Sequence, residues 1–88
     1  MAERVKTKLG EIDLIATKPG ICGFFEVKWR KRAADLADAI DERRLARVAA
    51  AVELVAYDYA DATDDITIDV LLLAPGSRPR HIENARRP

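Results

Sequence analysis

A single cysteine, Cys22, occurs among the 88 residues. No internal disulfide can form, which fits a reducing, cytoplasmic compartment. No apolar run approaches the ~18 residues that a membrane span requires. The opening MAERVKTKLG has no apolar stretch of the kind a secretory signal carries. Net charge is also missing, because 15 basic residues balance 15 acidic ones. That balance argues against a non-specific polyanion binder, whose affinity comes from counterion release by Lys and Arg. Repeats, low-complexity tracts and linkers are absent, and the length suits one domain spanning 1–88.

Apolar residues make up 49% of the chain, so a core can form. A chain this short buries only ~60% of the surface its unfolded form exposes, and dimerisation would add stability. The charges are neutral in sum but uneven in place. Lys28, Arg30, Lys31 and Arg32 form one basic run, Arg43, Arg44 and Arg47 a second, and Arg78, Arg80, Arg86 and Arg87 a third. Acid collects between Asp35 and Glu42 and between Asp58 and Asp65. A local basic surface can therefore exist on a neutral molecule.

Residues 9–16, LGEIDLIA, alternate with period two and predict a strand. Leu9, Glu11, Asp13 and Ile15 would share one side, with Gly10, Ile12, Leu14 and Ala16 on the other. Lys18-Pro19-Gly20 predicts a turn, and residues 21–29, ICGFFEVKW, a second strand in which Gly23 marks a bulge or a close approach. Residues 30–40 suit a loop or a short helical turn. Asp41 is a plausible N-cap, followed by Leu45, Val48, Val52, Val55 and Tyr59 at the spacing of an amphipathic helix. One of Tyr57 and Tyr59 should pack against the sheet with its hydroxyl at the rim. Ile66–Leu73 predicts a third strand, buried on both faces and parallel to the second across the helical crossover. Residues 80–85 suit a short edge strand, and the tail beyond them looks loose.

If Pro19-Gly20 forms the loop, opposite residues sum to 39, so that Asp13 faces Glu26 and Glu11 faces Lys28. Directly opposed side chains have Cβ atoms about 5 Å apart, and a register shift of two turns the pairing diagonal. Two converging carboxylates repel unless a cation sits between them. Mg²⁺ (or Mn²⁺) meets that need with oxygen ligands and retained waters. Lys28 beside it would orient or deprotonate an attacking water, or stabilise charge developing on a phosphorane. The same residue types on an arbitrary hairpin are more often a surface Glu–Lys pair next to a solvated aspartate. His81 reads as a hydrogen-bonded structural residue, Asn84 as a turn former, and Cys22 as a small core residue.

The segments Gly10–Ile15 (GEIDLI) and Phe24–Lys28 (FFEVK) resemble the PD-(D/E)XK nuclease superfamily, with an Asp in one strand and Glu-x-Lys in the next. The whole chain is similar to the YraN-like family of uncharacterised bacterial proteins. The similarity runs through GEIDLI, Glu26–Arg30, the basic helix at Arg43–Val48, the strand Ile68–Val70 and the closing His81–Ala85. The resemblance implies a restriction-endonuclease-like α/β fold, a small mixed sheet with one principal amphipathic helix, similar to that of Holliday-junction resolvases. It implies Asp13 and Glu26 as metal ligands assisted by the Val27 carbonyl, Lys28 as catalytic lysine, and Arg44 facing a substrate phosphate. Glu11 would support Lys28 from behind, or be a plain solvated strand residue. Arg30 and Trp29 would add contacts to nucleic acid.

Three departures from the family pattern stand out. Relatives usually carry an N-terminal helix before this point, whereas this chain starts almost at its first predicted strand, so the helix would be deleted, lying outside this sequence or supplied by a partner, with residues 1–8 as a remnant. Trp29 stands where a small residue is common, and could narrow the site or stack on a base. Ile68 replaces a Phe. The expectation is a divalent-metal-dependent endonuclease-like homodimer acting on structured or branched DNA. Its rival is a non-catalytic nucleic-acid-binding or assembly module that retains the fold.

Overall fold

A computed structural model describes residues 2–32, 34, 35 and 41–85. These form an α/β unit in the order β1 (Ala2–Lys6), β2 (Glu11–Lys18), β3 (Ile21–Trp29), α1 (Glu42–Tyr59), β4 (Asp65–Leu73) and β5 (Arg80–Ile82). The sheet order follows the chain, β1-β2-β3-β4-β5. Neighbours are antiparallel except β3 and β4, which pair in parallel from Ile21↔Asp65 to Trp29↔Leu73. That parallel pair follows from the helical crossover, as the strand–helix–strand pattern predicts.

The β2–β3 turn has the expected form. Gly20 takes φ +83°, the value a type II turn places on its third residue, and Lys18 pairs with Ile21. The register sums to 39 from Lys18↔Ile21 to Leu14↔Phe25. Beyond that point the regular alternation fails. Ile12 and Ile15 are both buried in the core although three residues apart, whereas an unbroken strand returns to one face only at even spacing. The alternation is therefore broken at Asp13, while the pairing of β2 with β1 keeps one register on either side of it. Opposite it on β1, Arg4 adopts φ +50°, between the pairs Glu3↔Leu14 and Val5↔Ile12. The expected pairs Asp13–Glu26 and Glu11–Lys28 do not form in this ladder, and Glu11 pairs with Lys6 of β1 instead. β1 itself was not expected, since AERVK carries one apolar position worth burying.

Helix α1 covers one face of the sheet. Asp41 caps it, accepting from the Arg43 N–H at 2.9 Å. The buried stripe is Leu45, Val48, Ala51, Val52 and Ala56, packed on Ile12, Ile15, Cys22, Phe24, Ile68, Val70 and Leu72. The predicted stripe drifts in the last two turns. Ala56 is buried, whereas Val55 is half-buried and Tyr57 and Tyr59 are both exposed, so neither tyrosine packs on the sheet as expected. Small alanines carry the contact there. The expected loop at 30–40 is described only in part, since 33 and 36–40 lie outside the described residues, as does the tail at 86–88. None of the described helices is long and apolar enough to cross a membrane.

The second face has no helix among the described residues. Ile21, Phe25, Val27, Leu71 and Leu73 on that side are half-buried, and Trp29 is exposed. β4 is thus covered by the helix on one face only, and on the other Asp69 is buried while Leu71 and Leu73 are half-buried, where burial of both faces had been expected. Cys22 lies on the covered face at zero exposure. Burial first, then the Asp64 charge, pushes its thiol above the ordinary value. Since only the thiolate reacts, alkylation of native protein at pH 8 should be far slower than that of a free thiol and should reach the free-thiol rate in denaturant. Fast native labelling would contradict this burial. Truncating Phe24 to Ala beside it should cost about 3–5 kcal/mol, measured by urea unfolding.

Candidate functional site

Glu26 is the centre of the site. It stands on β3 beneath α1, 3% exposed, where an unpaired carboxylate would be very costly. Two cations neutralise it. Arg44 of α1 donates from Nε to Glu26 Oε1 at 2.7 Å, and Lys28 Nζ, two residues along the same strand, lies 3.2 Å from that oxygen. Lys28 follows Glu26 to the same face because side chains two apart on a strand do so. Its side chain is only 11% exposed, whereas that of Arg44 is 58% exposed. The Arg44 guanidinium is held above its ordinary range by its hydrogen bond to Glu26 and by that carboxylate's charge, with smaller help from Asp13 and Asp41.

Gly10 lets the first turn of α1 come close to β2. A Cβ there would meet the Arg47 carbonyl oxygen at 3.0 Å, so the glycine opening the GEIDLI segment permits the helix approach that brings Arg44 to Glu26. Glu11, Arg44 and Arg47 line a depression of about 180 Å³ with Glu26. Glu11 is exposed there, near Glu26 and away from a cross-strand position on Lys28.

Asp13 occupies a different place from the one expected. Its Oδ2 accepts from the Val27 N–H at 2.8 Å. A strand N–H points along the sheet toward its neighbour, so this carboxylate lies toward the plane of the sheet rather than on the Glu26 face. Asp13 borders a depression of about 480 Å³ on the uncovered face, with Arg4, Leu14, Val27, Trp29 and Leu71. Asp13 therefore meets the backbone N–H of Val27, the residue after Glu26, while the Glu26 carboxylate is engaged by Arg44 and Lys28. Trp29 is 57% exposed beside Asp13. Arg30 folds back to donate to the Trp29 carbonyl at 2.8 Å.

With this geometry in hand, the relationships of the chain can be read. A profile described as "Uncharacterised protein family UPF0102" matches residues 1–73. This chain belongs to the UPF0102 family. A UPF0102 protein of Erythrobacter litoralis is 60% identical over 88 residues, covering 100% of this chain and 76% of the relative. One from Sphingopyxis alaskensis is 50% identical over the same coverage. A third, from Rhizorhabdus wittichii, is 49% identical over 84 residues, 96% of this chain and 71% of the relative. The UPF0102 match bears out the YraN-like resemblance.

The donor set available to a cation in this UPF0102 chain is two carboxylates and the Val27 carbonyl. These hard oxygens suit Mg²⁺, which is often held by one or two carboxylates, waters and substrate phosphates. No group of three or more His, Cys, Asp or Glu residues placed to hold a metal occurs among the described residues. The fit is thus one of chemistry: the Val27 N–H engages Asp13 through Oδ2, and a carboxylate keeps further lone pairs that a cation could use.

Sequence reasoning passed over Asp69. It is 4% exposed on the uncovered face, accepting from the Asn84 N–H at 2.9 Å and lying 2.7 Å from His81 Nε2. A lone acid inside the apolar run ITIDVLLL was the available signal, because a buried charge needs partners. His81 is the hydrogen-bonded residue expected, and Asn84 the turn former, at φ +51°.

The Lys28–Glu26–Arg44 triad makes a sharp prediction. Removing either cation alone leaves Glu26 paired, whereas Lys28→Ala with Arg44→Ala strands a buried carboxylate. The double variant should lose about 3–5 kcal/mol, more than the sum of the singles, and adding Glu26→Gln should recover part of it. Additive losses in urea unfolding would show that the triad is not coupled.

Proposed function

We propose that this chain is a divalent-metal-dependent, nuclease-like protein of restriction-endonuclease-like fold acting on phosphodiester bonds of DNA, with Asp13, Glu26 and Lys28 at its centre. The observation that carries the reading is a buried Glu26 held by Lys28 and Arg44, with Asp13 on the backbone N–H of the next residue, Val27. The mixed sheet, with an antiparallel hairpin leading through a helix into a parallel strand, agrees with that fold.

A bound Mg²⁺ or Mn²⁺ supplies Lewis acidity and neutralises charge at the scissile phosphate. The remaining work belongs to the side chains. Glu26 and Asp13 hold the cation, with the Val27 carbonyl as a further oxygen. Lys28, enclosed and fixed by Glu26, orients the attacking water and stabilises charge on the phosphoryl oxygens. Arg44 has a largely exposed guanidinium whose remaining N–H groups meet a phosphate in the fork geometry arginine favours. Trp29 offers an exposed ring to an unpaired base, and Arg30 adds positive charge beside it. A homodimer would present two such centres to two strands, which is the arrangement a branched DNA substrate calls for.

A second reading is favoured by one specific feature. Asp13 and Glu26 border separate depressions, and each is already satisfied, Asp13 by the Val27 N–H and Glu26 by Lys28 and Arg44. A non-catalytic nucleic-acid-binding or assembly module would keep these contacts permanently. The two readings part on metal.

Mg²⁺ or Mn²⁺ should raise the melting temperature of the wild-type chain and leave that of Asp13→Asn unmoved. At a hundred times Kd the metal should add about 2.7 kcal/mol of stability. With Mn²⁺, cleavage of branched, duplex or single-stranded DNA should be lost in Lys28→Ala while binding persists. DNA binding without metal stabilisation or cleavage would give the decision to the module.

A further inference from the structure

The uncovered face holds a second cavity, of about 210 Å³, away from Glu26. Ala16, Ile21 and Phe25 form its apolar floor, and Lys18, Thr67, His81 and Glu83 its rim. Its position relative to Asp13 follows from the strand register. Leu14 and Leu71 line the Asp13 depression, and their cross-strand partners are Phe25 and His81, which line this cavity. Directly paired residues share a sheet face. The two hollows are therefore neighbours on one continuous surface.

Three features describe what would fit. The volume lies below the roughly 300–1,000 Å³ usual for drug-sized ligands, so a single flat ring system is the right scale. The Phe25 and His81 rings, 5.1 Å apart and inclined at 34°, form a hard, planar-faced wall. The rim is mixed rather than cationic, since Lys18 is countered by Glu83, and Asp69 lies behind His81. Asp69 engages His81 through Nε2, which fixes the ring and places the proton on that nitrogen in the neutral form. Nδ1 is then the acceptor, with the Thr67 hydroxyl able both to give and to accept. An apolar body with alternating donors and acceptors at its edge matches this lining. A phosphate or carboxylate does not.

We propose that this cavity receives one unstacked nucleobase of a nucleic-acid strand whose backbone passes the Asp13–Trp29 depression. The inference rests on the nucleic-acid reading above and makes its substrate more specific: a strand with at least one unpaired nucleotide, as at a junction, flap or loop. Phe25 stacks on or against the base, and His81, positioned by Asp69, reads its edge. Gly23 keeps the pocket in shape, because a Cβ there would come within 3.0 Å of Phe25 Cε1 and 3.5 Å of Asp69 Oδ2.

The test uses the lone histidine as its reporter. With one His in the chain, the imidazole C–H signals in proton NMR belong to His81 alone. Titration of the metal-free chain with deoxycytidine and with deoxyadenosine should shift those signals saturably at millimolar concentration. The shift should persist in Asp13→Asn and weaken about tenfold or more, equivalent to ~1.4 kcal/mol, in Phe25→Leu. Thr67→Val, a smaller change, should weaken it as well, so the test survives if Phe25→Leu fails to fold. Ribose 5-phosphate should leave the signals in place. Nucleosides that move nothing, or ribose 5-phosphate that moves the signals as much, would overturn the base pocket. DNA cleavage without nucleoside binding sinks this inference alone, whereas nucleoside binding in a chain that neither binds metal nor cleaves DNA sinks only the nuclease.

Discussion

The neutralisation of one buried carboxylate organises this small domain. Glu26 lies under the helix on a central strand, where Lys28 and Arg44 share one of its oxygens and offset its charge. Arg44 reaches it only because α1 begins close to β2, an approach that the lack of a side chain at Gly10 allows. The charge thus fixes the helix start against the sheet, and the apolar stripe of α1 fixes the rest. Replacing such a triad by apolar residues is often neutral or stabilising in proteins, so its retention points to specificity or chemistry more than to stability.

The break in alternation at Asp13 is the second constraint. It keeps both Ile12 and Ile15 in the core and leaves Asp13 facing along the sheet to the Val27 N–H. The cost is local: Arg4 across from it sits at positive φ, a region that L residues other than Asn and Asp rarely occupy and that recurs near functional positions. The group at that break is the carboxylate that meets the backbone of the residue after Glu26. On the same uncovered face Asp69 is the counterpart of Glu26, a second buried acid on the neighbouring parallel strand, satisfied by His81 and the Asn84 N–H. Each face of the β3–β4 pair therefore carries one enclosed, fully partnered carboxylate beside a hollow.

Much of this was legible in the sequence, and the limits have physical causes. The hairpin register could be read because Pro19-Gly20 admits few turns and the period-two pattern from Leu14 to Phe25 is unbroken. The parallel pairing of β3 and β4 could be read because an amphipathic helix joins them. Asp41 could be read as a cap from its place before the stripe. The break at Asp13 could not, since the run EIDLI has the apolar pattern of a regular strand, and Ile12 and Ile15 are both buried only through packing in the core. β1 escaped notice because AERVK is an edge strand with one half-buried side chain, Val5. At the site, the residue types were evident from Glu26-Val27-Lys28 and Asp13, but the capture of Glu26 by Arg44 joins residues 18 apart through tertiary contact alone. Asp69 was visible as a misplaced charge in an apolar strand, and only the return of β5 supplies its partners.

The central claim is that Asp13 and Glu26 can jointly hold one divalent cation. Crystals soaked in Mn²⁺ and measured at the manganese absorption edge address it directly. The account predicts one anomalous peak about 2.0–2.3 Å from a carboxylate oxygen of each residue, a distance typical of such hard cations. A peak on one carboxylate only, or none, would contradict it.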